Sequence, residues 1–340
     1  MLNKLTAKIS LYHWVAALLG LLLVVGAYTD GWAHHHLAHL ETFFTPWHAV
    51  LYGSFALNGL FYAGTAFLSY RKSRIVSKAL LPHGYFLSLI GVVIFTVGGV
   101  TDMIWHILFG IEANIDALYS PTHLVLAGGA FLIVTGPLRA AFYGVSQNNT
   151  LLQKLPMVVS LAMTLSILTF MTQLSHPLVN VYGGSHLYTT DARAFEDEHA
   201  RGIESIMLQS AIVVGLLFYV LKRVALPAGS FVVIFTLNTT LLAFLEDHYL
   251  FIPMAIVAGF AIDVLYHLLR PSVSRLGRMR WFGLLLPVIF YSFYFAVVLA
   301  TQGTHWTIHM VTGCIVLAGI SGFLLSYPSF GFANPEKPIP

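Results

Sequence analysis

Apolar residues run in long blocks along this chain, separated by short polar breaks. Blocks long enough to cross about 30 Å of hydrocarbon fall near 9–29, 47–69, 85–107, 122–145, 156–175, 203–222, 229–247, 251–269, 281–301 and 304–326. Each reads as a helix, because lipid offers backbone groups no partner and a helix pairs them within one segment. About ten spanning helices follow from that length requirement, grouped as five hairpins. The expected fold is all-α: a polytopic integral membrane helical bundle with a single transmembrane domain over 1–331. Within it, 1–145 reads as a two-hairpin repeat. Residues 146–331 read as three further hairpins, with an external loop at 175–202. The stretch 332–340 is rich in Pro and reads as a disordered tail.

Composition narrows the class. Hydrophobic residues make up 57% of the 340 positions and charged residues 9%, whereas a soluble domain carries about 25% charged residues. Of the seventeen Lys and Arg, all but Arg193 and Arg201 fall on one side of the hairpin arrangement. By the positive-inside rule both termini are then cytoplasmic. The net charge of +3 is this bias, and it implies no nucleic-acid partner. The first run is flanked by Lys like a leader, but it reads as a mature helix, because the first polar constellation sits on its far end. The single cysteine, Cys314, lies inside the last run, so neither a disulfide framework nor a thiolate metal site is available. The expected location is a bacterial or archaeal cytoplasmic membrane.

Candidate chemistry enters through the histidines. Of sixteen, all but His13, His83 and His267 fall at or near the external, periplasmic face. Asp30 and His34 stand four apart at the end of one run, and Thr45, Pro46, Trp47 and His48 open the next. Asp102 and His106 repeat the pair, and Ser120, Pro121, Thr122 and His123 repeat the opening. Residues four apart share one helical face. Thr or Ser caps a helix and Pro suits its first position, so His48 and His123 fall in first turns. There the positive end of the helix dipole disfavours imidazolium, and neutral imidazole is the form that binds metal. His305 and His309 show the same spacing and are a further candidate pair. His35, His36 and His39 read as solvated loop residues, and the acidic stretch 196–198 as a solvated loop. Asp263 and His267 read as a structural pair. Glu246, Asp247 and His248 read either as ligands or as a turn cap. Met103, Met207 and Met310 read as packing residues.

The stretch 30–55 resembles the metal-binding segment of the C subunit of the copper membrane monooxygenases, the particulate methane and ammonia monooxygenase family. The resemblance rests on Asp30, His34, Glu41, then Phe44, Thr45, Pro46, Trp47 and His48, then Tyr52, Gly53, Ser54 and Phe55. It implies Asp30, His34 and His48 as copper ligands, with Asp102, His106 and His123 as a looser second copy. It also implies partner membrane subunits. Nothing in the chain resembles the soluble copper domain found among the family's partners.

His and carboxylate suit copper, with zinc or non-haem iron as alternatives. Three functions fit such a ligand set. The first is a copper-dependent oxygenase, or a subunit of one, that oxidises a small apolar substrate entering from the lipid bilayer. The second is a zinc-dependent intramembrane hydrolase, which needs His305, His309 and one early His to converge around a metal-bound hydroxide. The third is a metal-ion or proton-relay transporter or another metal-handling membrane protein. No catalytic residue beyond the ligands is assigned.

Overall fold

The computed structural model describes residues 2–37, 43–110, 112, 114–144 and 151–331. The stretch 332–340, with His39 and Glu41, lies outside them. Twelve α-helices form among the described residues: α1 (Leu2–His36), α2 (Pro46–Ser73), α3 (Phe86–Phe109), α4 (Asn114–Tyr119), α5 (Pro121–Val134), α6 (Gly136–Tyr143), α7 (Leu151–Met171), α8 (Ala192–Leu221), α9 (Ser230–Leu245), α10 (Phe251–Leu269), α11 (Leu276–Thr301) and α12 (Ile308–Phe330). The fold is all-α. Extended pairing among these residues is confined to a single bridge between Gly184 and Thr304.

Among the described residues, eight helical segments are long and apolar enough to cross a membrane: Leu11–His36, Phe86–Phe109, Pro121–Tyr143, Leu151–Met171, Ala192–Leu221, Phe251–Leu269, Leu276–Thr301 and Ile308–Phe330. The chain is a multi-pass integral membrane protein. Two of the expected spans fall short. α2 has the length, at 28 residues, but Tyr52, Ser54 and Asn58 dilute its apolar run. α9 is apolar but has 16 residues. The external loop is shorter than expected, because α8 begins at Ala192, where the Asp191 side chain accepts from Ala194 N at 2.8 Å.

The chain divides into two compact units, and the division falls inside α9. The first holds the described residues through Met171 together with Thr240–Asp247. In it α1 packs on α2 and α7, and α3 packs on α5. Small residues set both crossings. A Cβ on Gly26 would sit 2.9 Å from Leu51 Cα of α2, and one on Gly91 would sit 2.7 Å from the Gly129 carbonyl of α5. Backbones approach closely where no side chain intervenes. Gly26 lies one turn before Asp30, so this crossing carries the end of α1 to the start of α2. Between α5 and α6 the helix breaks at Thr135, ahead of Pro137, which has no N–H to give. Ser160 of α7 bridges the break: its Oγ accepts from Leu138 N at 3.1 Å and donates to Val134 O at 2.5 Å.

The second unit holds Thr172–Thr239 and the described residues from His248 onward. Here α12 packs on α8 and α11, and α10 on α11. Asp263 and His267 have the structural role expected. Asp263 accepts from Gly229 N and Val232 N, both at 3.1 Å, and so caps the start of α9 from α10. His267 Nδ1 lies 2.9 Å from the Asp263 carbonyl.

Candidate metal centre

The openings of α2 and α5 form as the local sequence dictates. Thr45 Oγ1 accepts from His48 N at 3.1 Å, and Ser120 Oγ from His123 N at 3.4 Å, with Pro in the first turn of each helix. His48 and His123 are thereby held in first turns, facing back toward the ends of α1 and α3.

Each then meets the pair expected for it. His48 Nε2 lies 3.4 Å from Asp30 Oδ1, and His34 Nε2 3.9 Å from Asp30 Oδ2. His123 Nε2 lies 3.4 Å and His106 Nε2 3.5 Å from Asp102 Oδ1. In each trio the potential ligand atoms all lie within 4.8 Å of one another. Asp30, His48, Asp102 and His106 are buried.

These gaps exceed the ordinary N–H···O hydrogen bond of about 2.7–3.2 Å. Three of the four are close to the spacing of ligands that share an ion, since atoms about 2.1 Å from a common centre at tetrahedral angles stand about 3.4 Å apart; the His34 gap is wider. His34 Nε2 and His106 Nε2 are buried and have no hydrogen-bond partner. Among the described residues no Lys or Arg pairs with either carboxylate. A cation between the rings would offset the charge of carboxylates so placed.

The other ring nitrogens are held from outside. His48 Nδ1 lies 2.6 Å from the Phe43 carbonyl. A carbonyl accepts only, so the proton sits on Nδ1 and leaves Nε2 a bare lone pair. His123 Nδ1 lies 2.6 Å from Ser120 Oγ. His106 Nδ1 lies 3.0 Å from Glu112 Oε2. Asp102 is steadied by Thr122 Oγ1, which donates to Oδ1 at 2.8 Å, and by Tyr52, whose hydroxyl donates to Oδ2 at 3.0 Å.

The two trios are neighbours. The His48 and His106 rings lie 6.1 Å apart, and the Phe43 ring packs on both, at 4.8 and 5.9 Å. The Tyr52 ring lies 6.0 Å from His48, while its hydroxyl holds the other trio's carboxylate. Six expected ligands thus gather at one end of the first unit.

His305 and His309 do not share a helical face. α12 starts only at Ile308, behind an N-cap at Thr307 whose side chain accepts from Met310 N. His305 lies in the preceding loop, and His309 is exposed on the helix. His305 joins a different trio in the second unit, with Glu198 and His199. Glu198 is therefore not part of a solvated loop but sits on α8, its side chain 10% exposed. Its Oε2 accepts from His305 Nε2 at 2.9 Å and from Trp306 Nε1 at 3.1 Å, and its Oε1 from Gly183 N at 3.2 Å. His199 Nδ1 is given to the Phe195 carbonyl at 2.7 Å. This carboxylate is saturated by protein donors, so the trio reads as a latch between loops and α8.

Sequence spacing missed Glu112, Glu198 and His199. For Glu198 and His199 the available signal was Asp191, a helix N-cap residue ahead of Ala192. His35 and His36 meet Glu246 and Asp247, at 2.6 and 3.7 Å. His248 Nδ1 lies 3.1 Å from the Leu178 carbonyl. These three His act as loop ties.

Comparison with protein-family models, with curated proteins and with solved structures finds no match to this chain.

Proposed function

We propose that this chain is a membrane metalloprotein that holds two neighbouring ions, one on Asp30, His34 and His48 and one on Asp102, His106 and His123. The observation that carries this reading is the set of four imidazole Nε2 atoms facing two buried carboxylates across gaps of 3.4–3.9 Å, two of them with no hydrogen bond. The ion we assign is copper, on the nitrogen and oxygen donors and on the resemblance of 30–55 to copper membrane monooxygenases. Copper so held supplies one-electron redox chemistry and activation of O2. The protein's own groups do the rest: Phe43 O and Ser120 fix two imidazoles, Glu112 sets a carboxylate beside the third at His106, and Tyr52 ties the two trios together. In the reaction we assign, one oxygen atom enters an apolar substrate and the other leaves as water. Protons and electrons come from an external reductant, which a partner membrane subunit would deliver. The Lys and Arg bias supports a ten-helix arrangement with both termini cytoplasmic and the trios at the periplasmic face of a bacterial or archaeal membrane.

Elemental analysis of protein purified from its native membrane, without added metal, tests the assignment. Copper is expected, with loss of one ion in His48→Ala. Stoichiometric copper in a triple Asp30/His34/His48 alanine variant would sink it. Zinc in place of copper would turn the reading toward hydrolysis, although His305 and His309 do not form the pair a hydrolase was expected to use.

A further inference from the structure

A cleft of about 620 Å³ opens between α2 and α3, directly beside His48. Phe55, Phe95, Val100 and Met103 form much of its wall, and His48, Tyr52, Thr45 and Thr96 are its polar members. Among the described residues, no Asp, Glu, Lys or Arg lines it. These polar groups are already engaged: both His48 nitrogens are turned elsewhere, the Tyr52 hydroxyl is given to Asp102, the Thr96 hydroxyl to the Val92 carbonyl, and Thr45 Oγ1 accepts from His48 N. A charged or strongly polar occupant would lose its hydration without replacement.

Size and access narrow the occupant further. The volume lies in the range of about 300–1,000 Å³ that encloses ligands of drug size. A molecule of one or two carbons would leave most of the wall without dispersion contacts. At the mouth, Phe44 is 83% and Val100 52% exposed. Val100 belongs to a membrane-spanning helix, so the mouth faces the bilayer. The floor depends on Gly99, where a Cβ would come within 2.8 Å of the Tyr52 ring.

We infer that this cleft binds a neutral hydrocarbon chain of about ten heavy atoms, drawn laterally from the bilayer. That the chain is a substrate rests on the oxygenase reading; that it binds does not. The test is photolabelling of the purified full-length protein with a diazirine-bearing decane, with labelled residues identified by mass spectrometry. Val97, exposed on α3 outside the cleft, reports bulk contact with the hydrophobic medium. Saturable labelling at Val100 and Met103 is expected, about tenfold above Val97. Excess n-decane should displace it more strongly than n-butane, since each added methylene gains burial. Gly99→Leu should abolish it, and Val100→Trp should plug the mouth without disturbing the Tyr52 contact. Asp30→Ala should lose metal and keep the labelling. Labelling that does not saturate, or that equals Val97, overturns the inference even if the protein holds its full metal. Saturable labelling in a wild-type protein that binds no metal leaves the cleft standing and removes the oxygenase reading.

Discussion

Two regions of this molecule gather a carboxylate and two imidazoles within the same few ångströms. Around Asp30 and Asp102 the rings approach at 3.4–3.9 Å and two nitrogens stay unpartnered in a buried place. Around Glu198 the donors close to 2.9–3.2 Å, and both carboxylate oxygens are taken, as those of Asp102 are by Thr122 and Tyr52; His305 Nδ1 is left buried without a partner. The two differ in how near an imidazole Nε2 comes to its carboxylate: within hydrogen-bond reach at Glu198, beyond it at Asp30 and Asp102. Proximity of His and acid therefore does not mark a metal centre. The mark we use is an imidazole Nε2 that faces a buried carboxylate from beyond hydrogen-bond reach.

The widest separation between the regions is expected in bound metal. Asp30→Ala with Asp102→Ala should lose both ions, a fall in affinity of more than about a hundredfold at each trio. Glu198→Gln and His309→Ala should retain wild-type metal, measured by elemental analysis after dialysis against a weak chelator. Metal that follows Glu198 instead would reverse the comparison.

Stability of the metal-free protein should show the opposite order. Glu198→Ala strands His305 Nε2, Trp306 Nε1 and Gly183 N, and should cost on the order of 3 kcal/mol in detergent-phase unfolding. Asp30→Asn removes a buried charge to which none of the described residues gives a hydrogen bond, so it should be neutral or stabilising. Equal losses in the two variants would mean that the Asp30 trio is an ordinary ion pair.

Within the first region, groups that hold the ligands should matter less than the ligands. Glu112→Gln and Tyr52→Phe should weaken the ion on Asp102, His106 and His123 by about 10–100-fold. The ion on the Asp30 trio should change less, as competition titrations with a metal chelator would show. Equal weakening of both ions would mean that Tyr52 couples them more tightly than one hydrogen bond suggests.

Much of this was legible in the sequence, for physical reasons that differ by element. The apolar blocks announced the helices because lipid demands them. The Asp30/His34 and Asp102/His106 pairs were legible because both residues sit on one unbroken helix. His48 and His123 were legible because Thr45-Pro46 and Ser120-Pro121 fix where a helix starts. His305 and His309 failed because Thr307 starts α12 between them, and spacing has no helical meaning across a cap. Glu198 was hidden because its partners, Gly183, His305 and Trp306, come from distant loops. The adjacency of the two trios was likewise a matter of packing: it follows from close crossings at Gly26 and at Gly91 with Gly129, which no local motif reports.

The smallest expected effect tests whether the second region keeps one buried imidazole, His176, neutral by closure. His176 is buried, and its Nδ1 accepts from Leu178 N at 3.1 Å. Burial pushes its imidazole down from 6.5 to about 3. The unfolded chain therefore takes up a proton near pH 6.5 that the folded loop refuses until about pH 3. The stability this gives is full above pH 6.5 and is lost progressively as pH falls toward 3. Going from about pH 7.5 to about pH 5.5 should cost roughly 1 kcal/mol. His176→Asn keeps an acceptor near the Nδ1 position and removes the titration, so its unfolding free energy should lack that part of the slope. An unchanged slope in this variant would mean that His176 is open to water and that the second region is less closed than its hydrogen bonds imply.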